Sequence, residues 1–548
     1  MSTALEAASL IMIPNSYSDG LLASVKPNDG AGDFTFSRGS NLSATRVNAD
    51  GYIEKGRENI VLYSNKFDES YWQKLSGCSI LGQTATDPFG VANNAWLVNF
   101  DGTTNGRLEK QVSGSQVKTM SIYVRTQSGT QDVIIGFGGN ELVTKTITTT
   151  WQRIEKFTPD NIYPRLRCDS ATTLEVFGFQ VELGLVATPY IETGASTGKS
   201  GILEDMPRID FSGGNQSLLL ERSRTNLIAN SEYLNGISWS GKIGVSFDTN
   251  TTTSPEGLDN ASLLKEDSSN GSHFAYKDFS LTSGSTYTIS IFAKSNGANR
   301  NLRFGDGGLG WSSGFNGVFN LTAGTATGGT IEPMGSGWYR CSVTGTANAT
   351  TCRLIIYSSL NTSTSYQGDG TSGAYLYGFQ IEEGFYPTSY IPTYGVSQTR
   401  LKDGGTAGDI SSIVNSPEGT IFTEFAKIGD FDSFQLDDST QNNRITLYPR
   451  NDTQTITFIF TINGVEVIRE NPRPTGLDTT AFNKYAIAWG LNDFRVYVNG
   501  LNIYTSTSNI TFGSGIIYDL DLTGANHKQF LLFPTALSDE ECITLTTI

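Results

Sequence analysis

Phe177-Gly178-Phe179-Gln180-Val181-Glu182, followed by Gly184, Thr188, Tyr190 and Ile191, returns as Tyr377-Gly378-Phe379-Gln380-Ile381-Glu382, followed by Gly384, Thr388, Tyr390 and Ile391. Working outward from this pair, Trp151-Gln152-Arg153 matches Trp338-Tyr339-Arg340, and Ser121-Ile122-Tyr123-Val124-Arg125 matches Ser290-Ile291-Phe292-Ala293-Lys294. Asn59-Ile60 with Asn65 and Trp72 matches Asn226-Leu227 with Asn230 and Trp239. Landmarks repeated in the same order read as a duplicated domain. The matched segments read as strands, because they combine β-branched and aromatic residues and keep large apolar groups at 177, 179 and 181 on one face. Gly178 and Gly378 fall on the opposite face, where a missing side chain permits a bulge or close approach.

Spacing locates the differences between the copies. From Ser to Trp the first copy runs 30 residues (121 to 151) and the second 48 (290 to 338). From Trp to Gln the figures are 29 (151 to 180) and 42 (338 to 380). The second copy therefore carries two insertions, expected as loops and including Gly305 to Gly317 and Ser358 to Gly373. Past Arg400 the repeat stops. Asn463-Gly464 and Asn499-Gly500 each sit between apolar runs, the strongest short hairpin signal. Ser538 and Glu541 form a capping box for a terminal helix, with Leu537 placed to staple against Cys542.

The 548 residues include 60 Gly, with 11% aromatic and 17% charged residues, the composition of a turn-rich β protein. The fold class expected is all-β: tandem jelly-roll β-sandwiches, duplicated, followed by a third, different β domain. The organisation expected is an amino-terminal arm at 1–56, a first sandwich at 57–195, a linker at 196–224, a second sandwich at 225–402 and the last domain at 403–548. The arm is too short to bury a strong core of its own.

A formal charge of −16 with no basic run argues against nucleic-acid binding. No stretch approaches 18 apolar residues, and the first 14 residues lack a basic leader region, so neither membrane insertion nor a secretion signal is expected. The five cysteines show no C-x-x-C spacing; Cys341 and Cys352 read as buried thiols rather than as a bridge across a hairpin. A reducing cytoplasm fits.

Three groups of residues resemble a known family. They are Gly32-Asp33-Phe34-Thr35-Phe36-Ser37-Arg38-Gly39-Ser40 with Ala44-Thr45-Arg46-Val47-Asn48; Pro207-Arg208-Ile209-Asp210-Phe211 with Leu218-Leu219-Leu220-Glu221 and Arg224-Thr225-Asn226-Leu227; and Gly378-Phe379-Gln380-Ile381-Glu382 with Ser389-Tyr390-Ile391-Pro392-Thr393 and Thr399-Arg400. Together they are similar to virion appendage proteins of tailed bacteriophages, of the type infecting Bacteroidetes and including crAss-like phages. The resemblance implies carbohydrate-binding-module-like sandwiches and a C-terminal concanavalin A-like (laminin-G-like) lectin domain. Tyr485-Ala486-Ile487-Ala488-Trp489, Val496 to Gly500 and Ala536 to Glu541 resemble that domain's later strands and terminal helix. In the family the arm and the Pro-Arg-Ile-Asp segment lie close together in sequence, whereas here a whole sandwich separates them.

No catalytic, cofactor-binding or metal-ligating set is assigned. With two histidines, His273 and His527, a Ser-His-Asp triad or multi-histidine site has no members to draw on. The Glu-x-Asp-x-x-Glu carboxylate spacing of concanavalin A-like glucanases is missing. Gly194 to Ser200 looks like a phosphate loop but has three residues between its glycines rather than four, and reads as linker. Asp306 and Asp369 lie in Gly-rich loops and read as turn formers, leaving a structural Ca²⁺ open. Trp72, Trp151, Trp239 and Trp338 recur at matched positions and read as shared core. Trp311, Phe315 and Tyr366 lie in the copy-specific insertions and are the candidates for a glycan or partner contact, against a competing reading as packing.

The function this implies is a non-enzymatic structural component of a phage virion: a head fibre, tail fibre or spike assembled in the host cytoplasm. Its arm is expected to dock on other virion proteins, its sandwiches to project toward host-surface polysaccharide, and the chain to form dimers or trimers. The alternative is a polysaccharide depolymerase of the glycoside hydrolase kind.

Overall fold

The computed structural model describes all residues except 1, 15, 16, 19, 41, 115, 140, 298, 313, 314, 430–433, 451, 452, 509, 510 and 548. The chain is all-β. Its helices, among the described residues, are Ser2–Ala7, a 3-10 turn at Leu234–Gly236 and the capped Asp539–Thr546. Strands form three sandwiches, the first two built alike.

In the first sandwich one sheet runs Gln152–Thr158, Lys118–Thr126, Ala171–Leu183, Ala95–Asp101, Cys78–Ala85, and faces a sheet ordered Leu142–Ile147, Gln131–Phe137, Pro164–Arg167, Arg107–Glu109, Gln73–Leu75. Alternation sorts the residues. Met120, Ile122 and Val124 point into a core with Val98, Ile135, Leu166 and Phe179, all fully buried, while Tyr123 and Arg125 point outward. The second sandwich keeps both orders and adds Thr330–Gly335 at the edge of one sheet and Thr325–Thr327 at the edge of the other. Those strands come from the first insertion. The second insertion contributes Ser365–Gln367, paired with Asn270–Ser272. The insertions are thus strands as well as loops, because added chain beside an open sheet edge gains main-chain hydrogen bonds.

The repeated motif is a polar latch inside each sandwich. Asn59 Nδ2 donates to the Phe179 and Ile191 carbonyls at 3.3 and 2.8 Å, and its Oδ1 accepts from Val181 N at 3.1 Å. Gln180 donates to Glu182 at 2.6 Å and accepts from Ile191 N at 2.7 Å, and Glu182 accepts from Thr188 N at 2.8 Å. Asn226, Gln380, Glu382, Thr388 and Ile391 repeat this arrangement in the second sandwich. Gly178 and Gly378 both have φ of +62°, at a bulge where the register against the neighbouring strand shifts. A Cβ on Gly178 would lie 3.1 Å from the Tyr190 ring.

The third sandwich corrects the expected domain boundaries. Its nine-stranded sheet begins with Tyr17–Ser18, Leu21–Leu22 and Phe34–Ser37, followed by Gly404–Ala407, Asp519–Leu522, Phe434–Asp437, Arg444–Arg450, Thr455–Ile462 and Val465–Glu470. In the facing sheet, strand Ala525–Phe533 pairs with Gly419–Lys427 on one side and, on the other, with both Leu10–Met12 and Ser217–Leu219. Leu10, Met12, Phe34 and Phe36 from the arm, and Ile209, Leu218 and Leu220 from the linker, share one buried core with Trp489, Phe494 and Phe530. The segments at 1–56 and 196–224 are therefore not a free docking arm and a linker. Too short to bury their own apolar residues, they complete the last sandwich, into which the two duplicated sandwiches are inserted. Both Asn-Gly hairpins are present, with φ of 49° and 79° at Asn463-Gly464 and 47° and 79° at Asn499-Gly500.

Replacing Gly178 by valine combines left-handed strain with overlap on Tyr190, and should cost about 2–4 kcal/mol by chemical denaturation. Gly194→Val, where a Cβ meets nothing within 4 Å, should change stability by less than about 0.5 kcal/mol.

Candidate functional site

Three arginines converge where the pieces of the third sandwich meet the second. The side chains of Arg38, Arg208 and Arg400, and that of Asp403, are 0% exposed. Arg38 pairs with one Asp403 oxygen at 3.1 Å and Arg208 with the other. Arg208 and Arg400 share Glu221 Oε2, at 2.8 and 3.0 Å. Glu221 also accepts from Ser389 N at 2.7 Å and Ser389 Oγ at 2.6 Å, and its own N–H donates to Asp403 at 2.9 Å. Further donors reach carbonyls, Arg38 to Leu203 at 2.6 Å, Arg208 to Thr45 at 2.9 Å and Arg400 to Arg222 at 2.6 Å, while Arg208 Nε and Arg400 Nε are buried without a partner among the described residues. Burial pushes Arg38 down to about 10 against the pull of Asp403. Burial also opposes ionisation of Glu221, but the Arg400 and Arg208 guanidiniums outweigh it and hold its carboxyl at about 2.

A second buried cluster ties the chain just before the first sandwich to the second sandwich. Lys55 Nζ lies 2.6 Å from Glu232 and 3.1 Å from Glu256, and Arg57 pairs with Glu256. Tyr377, Tyr390 and Tyr394 hydroxyls donate to these carboxylates at 2.7, 3.2 and 3.1 Å.

In front of the arginine cluster opens a cleft of about 330 Å³, at the low end of small-ligand sites. Arg46, Asp210, Phe292, Glu332, Met334 and Tyr386 are among its walls, drawn from the arm, the linker and the second sandwich, with Lys427 from the third. Glu332 is exposed and sits opposite Arg340 across the strand pair. Asp210 is tied down by Val47 N at 2.8 Å and Ser212 N at 3.0 Å. The cleft offers charged and amide groups beside Tyr386 and the nearly closed-over rings of Phe292 and Tyr390, a lining suited to hydrogen-bonding a polar ligand.

The residues singled out from sequence lie elsewhere. Trp311 (5% exposed) and Phe315 (0%) stack at 4.1 Å inside the core of the second sandwich, and the Trp311 indole donates to the Arg353 carbonyl at 2.8 Å. Tyr366 (8%) donates to Glu266 at 2.6 Å, within a buried set that includes His273. These three are packing residues and present no surface. The inserted chain is rich in Gly, Ser and Thr, and its few aromatics enlarge a core; residue type alone does not separate that role from surface display. Asp306 and Asp369 cap turns through Gly308 N at 2.9 Å and Ser372 N at 2.7 Å. Gly198–Ser200 pairs with Arg57–Asn59. All five cysteines are buried and free; Cys341 and Cys352 lie in opposite sheets. Sequence reading missed the arginine cluster as a site, although Arg38, Arg208, Glu221 and Arg400 all stand in the family-like motifs.

No protein-family model and no curated protein matches this chain. Solved structures similar to it are β-sandwich proteins. The CBM40 domain of the Ruminococcus gnavus IT-sialidase, bound to α2,3-sialyllactose, is 16% identical over 25% of this chain and 91% of its own, with a TM-score of 0.23. The CBM22-1–CBM22-2 tandem of Paenibacillus barcinonensis Xyn10C is 13% identical over 63% of this chain and all of its own, TM-score 0.21. The LG1-3 region of the laminin α2 chain is 9% identical over 78% and 95%, TM-score 0.18.

Because Glu221 is held well below the ordinary 4.5 in the folded chain, its ion pairs contribute stability that is complete above pH 4.5. That stability is lost as pH falls toward about 2. Wild-type melting temperature should drop through this window more steeply than that of Glu221→Gln. At pH 7 Glu221→Gln should already be destabilised by about 3–5 kcal/mol, since it leaves Arg208 and Arg400 buried without their shared anion.

Proposed function

We propose that the chain is a non-enzymatic structural component of a tailed-phage virion appendage, which holds its sandwiches in fixed relation and contacts surface polysaccharide through the junction cleft. The observation that carries this reading is the arginine cluster: Arg38, Arg208 and Arg400, all within the family-like motifs, lock three stretches of chain and the second sandwich together. That is an investment in rigid display. Glu221, which with Asp210 is one of two buried carboxylates lining the cleft, is held at about 2 by its arginines, which argues against it as the protonated acid that glycoside hydrolysis requires. Copies assembled as dimers or trimers on a particle raise avidity by ~10²–10⁴ over one shallow site.

Calorimetric titration of the purified chain with host capsular polysaccharide, alongside a reducing-end assay, tests this. Binding without release of reducing ends is expected, and Glu332→Ala with Met334→Ala, on exposed and half-buried cleft positions, should weaken it about tenfold. Reducing ends that disappear in Asp210→Asn or Glu332→Gln would establish a depolymerase instead. Cryo-microscopy of the particle should place the chain on the virion surface.

A further inference from the structure

Besides the insertions, the two duplicated sandwiches differ on one face, the outward side of the sheet that carries the repeated motif. In the second sandwich this face bears Phe292, Trp338, Tyr377 and Tyr390, none more than 2% exposed. They are covered by the hairpin Thr45–Val47/Ile53–Lys55, which belongs to the chain ahead of the first sandwich. Ile53 packs in that cluster and its N–H donates to the Pro255 carbonyl at 2.9 Å. Tyr52 rests on Gly257, where a Cβ would lie 3.3 Å from its ring. Lys55 and Arg57 are held by Glu232 and Glu256.

The first sandwich repeats this receptacle, and among the described residues no hairpin covers it; only Phe89 of its own turn packs there, over the buried Phe177. Its turn at 87–91 repeats the turn at 254–258: Asp87 N to Val91 O at 3.0 Å and Gly90 N to Asp87 O at 3.2 Å, against Ser254 N to Leu258 O at 2.8 Å and Gly257 N to Ser254 O at 3.0 Å. Gly90 and Gly257 have φ of 91° and 81°. The Trp151 indole donates to Thr86 O as the Trp338 indole donates to Thr253 O, at 3.2 and 3.1 Å. Pro88 thus stands where Pro255 stands, and no described residue donates to its carbonyl. Tyr123, Trp151 and Tyr190 are half-buried where their counterparts are closed over, and a Cβ on Gly90 meets nothing within 4 Å. Phe89 lies 62% exposed, its ring 5.7 Å from Tyr123 and 5.8 Å from Phe177. It occupies the place of Glu256. Ser64 bonds the Tyr190 hydroxyl as Ser231 bonds that of Tyr390, so Asn65, the next residue, stands where Glu232 stands, and the sequence match of Asn65 to Asn230 is corrected by two residues. Both anions that grip the basic residues of the covering segment are gone.

We propose that this face of the first sandwich is a docking site for an extended polypeptide segment of a partner protein, seated as residues 52–57 are seated on the second sandwich. An aliphatic side chain takes the position of Ile53 over the half-buried Tyr123, beside Phe89. Its main-chain N–H donates to Pro88 O, and neutral residues stand where Lys55 and Arg57 would. The hairpin Ile209–Asp210/Ser217–Leu219 ahead of the second sandwich is used differently, pairing edge-on with strand Ala525–Phe533 as part of the third sandwich. Of the two duplicated sandwiches, the first is the one whose receptacle no described hairpin of the chain covers.

Peptides spanning residues 44–57, one native and one carrying K55T and R57T, provide the probes. The readout is the fluorine resonance of Trp151 in the full chain labelled with 5-fluorotryptophan. The peptide carrying K55T and R57T should shift Trp151 saturably in the wild-type chain and bind at least about tenfold more tightly than the native peptide. The double variant N65E/F89E, altered at one buried polar position and one exposed one, restores the two carboxylates and should reverse that preference in a salt-dependent manner. An unchanged Trp72 resonance, from the core of the same sandwich, verifies the fold; should N65E disturb it, F89E alone carries the test, narrowing the preference. No Trp151 shift with either peptide at ~1 mM, or a preference that ignores the carboxylates, would overturn the proposal. So would a Trp151 shift produced by soluble oligosaccharide and by neither peptide, which would assign the face to a glycan.

Discussion

Three guanidiniums buried around two carboxylates set the terms for the rest of this molecule. Removing an unpaired cation from water costs several kcal/mol, so Arg38, Arg208 and Arg400 are tolerable inside only when Glu221, Asp403 and the surrounding carbonyls are all in place. Those partners come from the amino-terminal segment, the segment between the duplicated sandwiches and the segment after them. The cluster therefore forms only when residues far apart in sequence have met. The same meeting closes the third sandwich, where Leu10 pairs with Leu532 and Phe36 with Gly405. An apolar core alone would tolerate small slips in how these short strands pair; an arginine paired with one oxygen of Asp403 while another holds the second oxygen does not. The ion cluster supplies registry, and the core it closes supplies much of the free energy.

Duplication followed by divergence explains the asymmetry between the first two sandwiches. Both retain the Asn-Gln-Glu-Thr latch, because each latch satisfies main-chain groups buried within its own sandwich. What changed is at the periphery: extra edge strands and a larger core around Trp311 and Phe315 in the second copy, and Phe89 in place of Glu256 in the first. Interior hydrogen bonding conserves architecture, and surface residues decide what each copy meets.

The repeat, the all-β class, the two Asn-Gly hairpins and the Ser538 capping box were legible because each is a local pattern with a local cause. The membership of the arm was not. Phe34-Thr35-Phe36-Ser37 shows clean alternation, buried at Phe34 and Phe36 and exposed between, and that alternation announces a strand needing a partner without naming one. Its partner begins at Gly404, hundreds of residues on, in a stretch of Gly and Thr with little β signal of its own. Likewise Trp311, Phe315 and Tyr366 stood out by type and by lying in insertions, but burial depends on what packs over them. The arginines of the junction were visible as motif residues, while their convergence depended on a topology in which one domain encloses two others.

The central claim is that the amino-terminal strands, the middle segment and the carboxy-terminal strands are one cooperative unit held in register by the buried arginine cluster. Native-state hydrogen exchange read by mass spectrometry addresses it directly. Amides of Leu10–Met12 and Phe34–Ser37 should open with the same free energy as those of Ala525–Phe533, and Arg208→Met should lower protection in all three together while leaving Lys118–Thr126 unchanged. Rapid exchange at 10–12 and 34–37 in the unaltered chain, with 525–533 still protected, would contradict it.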